Sequence, residues 1–124
     1  MKIENILMSI LTLVLSLIAL GWLISPESSA NSIDMMLLEG KGRNTQIRDF
    51  TALFLGTSIM CLLSLITRQY QWVLSVGIIF SITIVVSFIS SFYHDSIISY
   101  QSLVAEIIFT AMAISSALLL KFKN

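Results

Sequence analysis

A carboxylate inside a long apolar run is the residue of this chain best placed to do chemistry, and Glu106 is that residue. It stands about nine residues into the apolar segment 97–120, roughly 14 Å along a helix that rises about 1.5 Å per residue. That depth is near the middle of a ~30 Å hydrocarbon layer. An ionised carboxylate there costs ~2.5–3.5 kcal/mol on insertion scales, so Glu106 is expected to face other helices and to find a partner or hold a proton. Such a group suits proton or ion coupling, or the holding of a small molecule between helices.

Four other ionisable residues fall toward the same end of the chain's apolar segments: Arg48 and Asp49 before the second, His94 and Asp95 between the third and fourth. Long basic side chains can lie along apolar surface while the head seeks polar company. Arg48 is therefore expected to reach Glu106 as its counter-charge. The plainer reading is that Arg48 and Asp49 mark the membrane boundary where the second helix starts. One histidine with scattered carboxylates lacks the close ligand spacing of a metal site, and no metal or cofactor is implied. Cys61 is a single thiol in an apolar run and is read as a small buried or lipid-facing side chain. Gly40-Lys41-Gly42-Arg43-Asn44 lacks the spacing and the Lys-Ser/Thr pair of a phosphate loop and reads as a solvated turn. No nucleophile triad or paired-cysteine pattern is present.

The elements that must position these residues are membrane helices. Of 124 residues, 56% are hydrophobic and only 11% charged, against about a quarter charged in soluble domains. Seven acids balance seven bases, which gives nucleic acid nothing to recognise. Four segments reach the length of about 20 residues that a bilayer demands, at 6–24, 48–67, 72–92 and 97–120. The expected fold is all-α, a single domain built as an antiparallel bundle of four transmembrane helices, since short connections force neighbours to run antiparallel. Only the first connection, 25–47, has room for more. Its brief apolar cluster, Ile33 to Leu38, suggests a short helix lying on the bilayer surface.

Orientation follows from basic residues in short loops. With both termini cytoplasmic, Lys2, Arg68, Lys121 and Lys123 lie inside and Lys41, Arg43 and Arg48 outside, while most acids fall outside. The first segment could instead be a cleaved signal peptide ending near Ser28-Ser29-Ala30, but its apolar stretch is longer than the ~7–15 residues usual for such a signal. It is therefore expected to be retained.

Each helix carries a mildly polar stripe at three- and four-residue steps: Asn5, Ser9, Thr12, Ser16 and Ala19 on the first, Thr83, Ser87 and Ser90 on the third, and Ser99, Ser102, Glu106, Thr110, Ala113 and Ala117 on the fourth. Small and hydroxylated residues favour close helix packing and interhelical hydrogen bonds. These faces are expected to turn inward, as packing surfaces or as the lining of a cavity, with Leu103, Ile107, Ile108 and Ile114 toward lipid. A site, if built, should lie between the second, third and fourth helices and open toward the non-cytoplasmic face.

Pro26 soon after the first helix, Asn44 and Arg48 at the step into the second, Gly56 within it, and Glu106 after the polar turn Ser91 to Ser96 together resemble the DoxX-like superfamily of small four-helix membrane proteins, in particular a bacterial branch of unknown function. Asp49-Phe50-Thr51-Ala52 departs from the small, glycine-containing stretch associated with that family at this step. The resemblance implies a four-helix architecture in a bacterial cytoplasmic membrane, and accessory or assembly roles more than one enzymatic activity. Three functions are consistent with the residues. The first is a non-enzymatic protein that associates with a larger membrane protein or with itself, or binds a small hydrophobic molecule. The second is a proton- or ion-coupled transporter using Glu106. The third is a membrane enzyme acting on lipid or quinone, for which a cavity joining Glu106 to His94 would be the sign.

Overall fold

The computed structural model describes residues 2–123, the side chain of Lys123 excepted. Among the described residues four helices are long and apolar enough to cross a membrane: α1 (Ile3–Ile24), α3 (Lys41–Thr67), α4 (Tyr70–His94) and α5 (Tyr100–Lys123), and a short α2 (Pro26–Ser32) follows the first. The fold is an all-α bundle of membrane-spanning type. In lipid every backbone polar group must be paired within its own segment, which is why such apolar stretches become helices. Around the bundle α1 packs on α3, α3 on α4, α4 on α5, and α5 back on α1.

The core is a column of side chains from all four long helices. Met8, Leu11 and Leu15 of α1, Val73, Val76 and Phe80 of α4, and Ala113, Ala117 and Leu120 of α5 are buried around Cys61 of α3. Isoleucines, leucines and valines on the opposite faces, such as Leu13, Leu17, Ile82 and Ile107, are exposed, as lipid-facing residues must be. Exposed rings mark both ends: Phe92, Tyr93 and Tyr100 at one, Trp72 and Phe122 at the other, the pattern of aromatic belts at membrane interfaces.

The inward face of α1 is rotated from the expected polar stripe. Glu4, Met8, Leu11, Leu15, Ala19 and Trp22 are buried, whereas Ser9 is exposed and Thr12 and Ser16 lie at the edge of the contact. The hydroxyls satisfy themselves first, Thr12 on the Met8 carbonyl and Ser16 on that of Thr12. Ser16 also meets the hydroxyl of Ser58, which itself donates to the Thr12 carbonyl at 2.8 Å, so the polar groups stitch α1 to α3 from one side of an apolar seam. On α5 the expected face is nearly right: Ser102 and Glu106 are half-buried and Ala113 and Ala117 fully so, but Phe109, Ser116 and Leu120 share the stripe. Ile114, expected toward lipid, instead lies against α4, where a Cβ on Gly77 would come within 2.7 Å of its Cγ1.

The first connection differs most from expectation. Pro26 opens α2 at its first turn, a position where the missing N–H is no loss and the fixed φ suits a helix. The helix thus precedes the apolar cluster and does not coincide with it. Residues 35–39 are irregular. Gln46 explains why they stay so: its Oε1 accepts from the Leu38 amide at 2.9 Å and its Nε2 donates to the Met36 carbonyl and the Met35 sulfur. Gln46 is buried by this contact, and α3 begins at Lys41, two turns before the expected boundary at 48. The segment Gly40 to Asn44 is the start of that helix, not a free turn, with Arg43 and Asn44 amides bonded back to Glu39 and Gly40 carbonyls.

Candidate functional site

Glu106 faces a largely enclosed chamber of about 150 Å³ to which every helix contributes. α1 supplies Ile18 and Trp22, and α3 supplies Phe50, Leu53 and Phe54. From α4 come Phe80 and Thr83, and from α5 Ser102, Ala105, Glu106 and Phe109. α2 covers one end with Ser29, Ser32 and the adjoining Ile33. The expected site between the second, third and fourth spanning helices is therefore completed by α1 and covered by α2.

Three ring contacts hold this wall in place. Trp22 stacks on Phe50 with centroids 4.3 Å apart and planes within 10°. Phe80 bridges Phe54 and Phe109 at 6.2 and 5.3 Å. Aromatic pairs at such separations add about 0.5–1.5 kcal/mol beyond burial. The cover is tied down as well: α2 returns so close to α1 that a Cβ on Gly21 would sit 2.9 Å from the Ser29 hydroxyl, and Ser99 donates to the Ile33 carbonyl at 2.8 Å.

Glu106 accepts a hydrogen bond from Ser102 at 2.9 Å, one turn earlier on the same helix. The anticipated Arg48–Glu106 pair is replaced by two separate contacts, because Arg48 pairs with its neighbour Asp49 at 2.9 Å and both are exposed. They do not mark the helix start either, because α3 begins at Lys41 and Arg48 and Asp49 lie two turns inside it. α5 starts only at Tyr100, since residues 95–99 remain outside the helix. Glu106 consequently lies about 9 Å from the helix start, in the N-terminal half of α5 and short of its middle.

The remaining candidates are not brought to the chamber. His94 ends α4 on an exposed turn, and Asp95 follows it with φ 53° as the helix-terminating residue. Asp49 lines an open groove with Met35, Lys41 and Gln46, away from Glu106. Among the described residues no group of three or more His, Cys, Asp or Glu lies close enough to hold a metal ion.

A second groove adjoins the chamber. It is open, about 500 Å³, and runs between α4 and the segment leading into α5, lined by Val86, Ser87, Ser90, Ser96 and Ile98. Thr83 and Ser102 belong to both its wall and that of the chamber. The polar stripe Thr83, Ser87, Ser90 thus faces this groove, and its Ser90 hydroxyl bonds that of Ser96 at 2.8 Å.

Sequence reasoning overlooked one buried ionisable residue. Glu4 is fully buried at the other end of the bundle, with Arg68 Nη2 3.6 Å from its Oε1 and Arg68 Nη1 on the Asn5 side-chain carbonyl. The polar groups are therefore not gathered at one leaflet only. The signal was present: Glu4 continues the spacing of Met8, Leu11, Leu15 and Trp22 back by one turn. No protein-family model, curated protein or solved structure matches this chain.

Proposed function

We propose that this is a non-enzymatic membrane protein that binds a small, largely hydrophobic molecule between its helices. The observation that carries the reading is the enclosed chamber, apolar and aromatic over most of its wall with Glu106 and a few hydroxyls as polar contacts, the composition typical of small-molecule sites. Its volume, about 150 Å³, is on the scale of an apolar cavity that accommodates benzene. The open groove meeting it at Thr83 and Ser102 offers an approach from the side of the bundle.

The proposal places the protein in a bacterial cytoplasmic membrane with both termini cytoplasmic, as the basic residues favour, and keeps the likeness to DoxX-like proteins as its family assignment. The chamber then lies toward the outer leaflet. Thermal unfolding in detergent with a neutral probe of six heavy atoms, cyclopentanol, tests the binding reading. A ligand at ten times its Kd stabilises by about 1.4 kcal/mol. The wild type should show that rise and an Ala105→Leu variant, whose side chain fills the chamber, should not. Equal behaviour of the two, or no response from either, contradicts the reading.

A second reading, a proton- or ion-coupled transporter, draws on Glu106 lining a chamber that shares Thr83 and Ser102 with an open groove. Uptake into proteoliposomes that is abolished by Glu106→Gln supports it, and uptake that survives the substitution removes proton coupling through this residue. The enzyme reading loses its motivation, because the chamber wall includes Glu106 and not His94.

A further inference from the structure

Among the residues lining the chamber Glu106 is the single ionisable one. Arg48, the basic side chain expected to reach it, is paired with Asp49 at the surface. Of the wall's hydroxyls, Thr83 donates to the Ile79 carbonyl, Ser32 to that of Ser29, and Ser102 to Glu106 itself. A carboxylate on so apolar a wall is neutralised by a proton or by a positive charge, and the chamber wall itself provides no basic side chain.

The rest of the wall is suited to one kind of positive charge. Trp22, Phe50, Phe54, Phe80 and Phe109 line the same small volume, and aromatic rings attract a cation within about 6 Å of their centroids. A hydrated metal ion would exchange its water for few oxygens here, whereas hard cations take six or more oxygen ligands. An organic ammonium instead keeps its apolar substituents against the rings and its charge against the carboxylate.

Resting on the ligand-binding reading above, we infer that the chamber selects small organic cations, with the ammonium group beside Glu106 and the hydrocarbon part among the aromatic rings. The shared edge at Thr83 and Ser102 places the open groove next to Glu106, so the charged end of such a ligand meets hydroxyls along its way in.

The test compares cyclopentylammonium, charged at neutral pH, with cyclopentanol, its neutral counterpart of equal heavy-atom count. Trp22 reports occupancy by its fluorescence once exposed Trp72 is replaced, Trp72→Phe, in protein held in lipid nanodiscs. The expected result is cation binding at least tenfold tighter than alcohol binding, with the ratio falling to near one in Glu106→Gln while the alcohol still binds. Because this comparison is made first on protein with Glu106 intact, it does not depend on the folding of the variant. Alcohol binding without preference for the cation, or a preference that survives Glu106→Gln, overturns the cation inference and leaves the binding reading standing. Failure of both probes to change Trp22 emission overturns both.

Discussion

Glu4 and Arg68 illustrate what a charge requires at the end of a bundle packed in lipid. Glu4 is wholly buried, while Arg68 keeps about a third of its side chain exposed and closes α3 in a left-handed conformation, φ 61°. Removing one partner of a buried ion pair strands the other and costs about 3–5 kcal/mol, less where water reaches one member. Arg68→Asn, a residue that tolerates the left-handed region, should lower stability by about 2–3 kcal/mol. Adding Glu4→Gln to it should recover a large part. Thermal unfolding followed by circular dichroism checks both, and additive losses in the double variant would deny the coupling. At this scale Glu106 was legible as a residue facing other helices. Its partner was not, because Ser102 and Arg48 compete as partners only once the depth of each helix start is known.

At the scale of elements, the existence of four spanning helices was plain from apolar length, and their ends were not. α3 gains two turns because Gln46 anchors residues 35–38, a tertiary contact that no local pattern announces. α2 had a local signal in Pro26, which also reads as the close of α1; both are true. Rotation of α1 was misjudged since hydroxyls that satisfy themselves on their own helix need not face inward. The contact between α4 and α5 yields a sharper expectation. Gly77→Ala would place a methyl 2.7 Å from Ile114 Cγ1, and overpacking of this kind costs about 1–3 kcal/mol. Ile114→Ala in the same chain should return part of that loss. A Gly77→Ala variant as stable as the parent in thermal unfolding would show that the helices separate there without cost.

For the whole molecule, the bundle carries a polar cluster near each end, and they differ in kind. Arg68 meets both Glu4 and Asn5 at one end, while at the other Glu106 borders empty volume under the cover of α2. The proposed orientation puts α2 and the chamber on the outer side. With Cys61→Ser as background, Glu27→Cys should react with a membrane-impermeant maleimide on intact cells and Gln69→Cys only after permeabilisation. The reverse pattern would invert the molecule. The chamber itself was foreseeable only as a polar face on α5, because its volume depends on Trp22 and Phe50 stacking and on α2 folding back over α1.

The central claim is that a small molecule occupies the space between the helices beside Glu106. Nuclear Overhauser contacts from benzene to the methyl groups of methyl-labelled protein locate it directly. Contacts to Ile18, Leu53 and Ala105 of the chamber wall are the predicted result. Contacts confined to lipid-facing methyls such as those of Leu13, Val85 and Ile107 would contradict it.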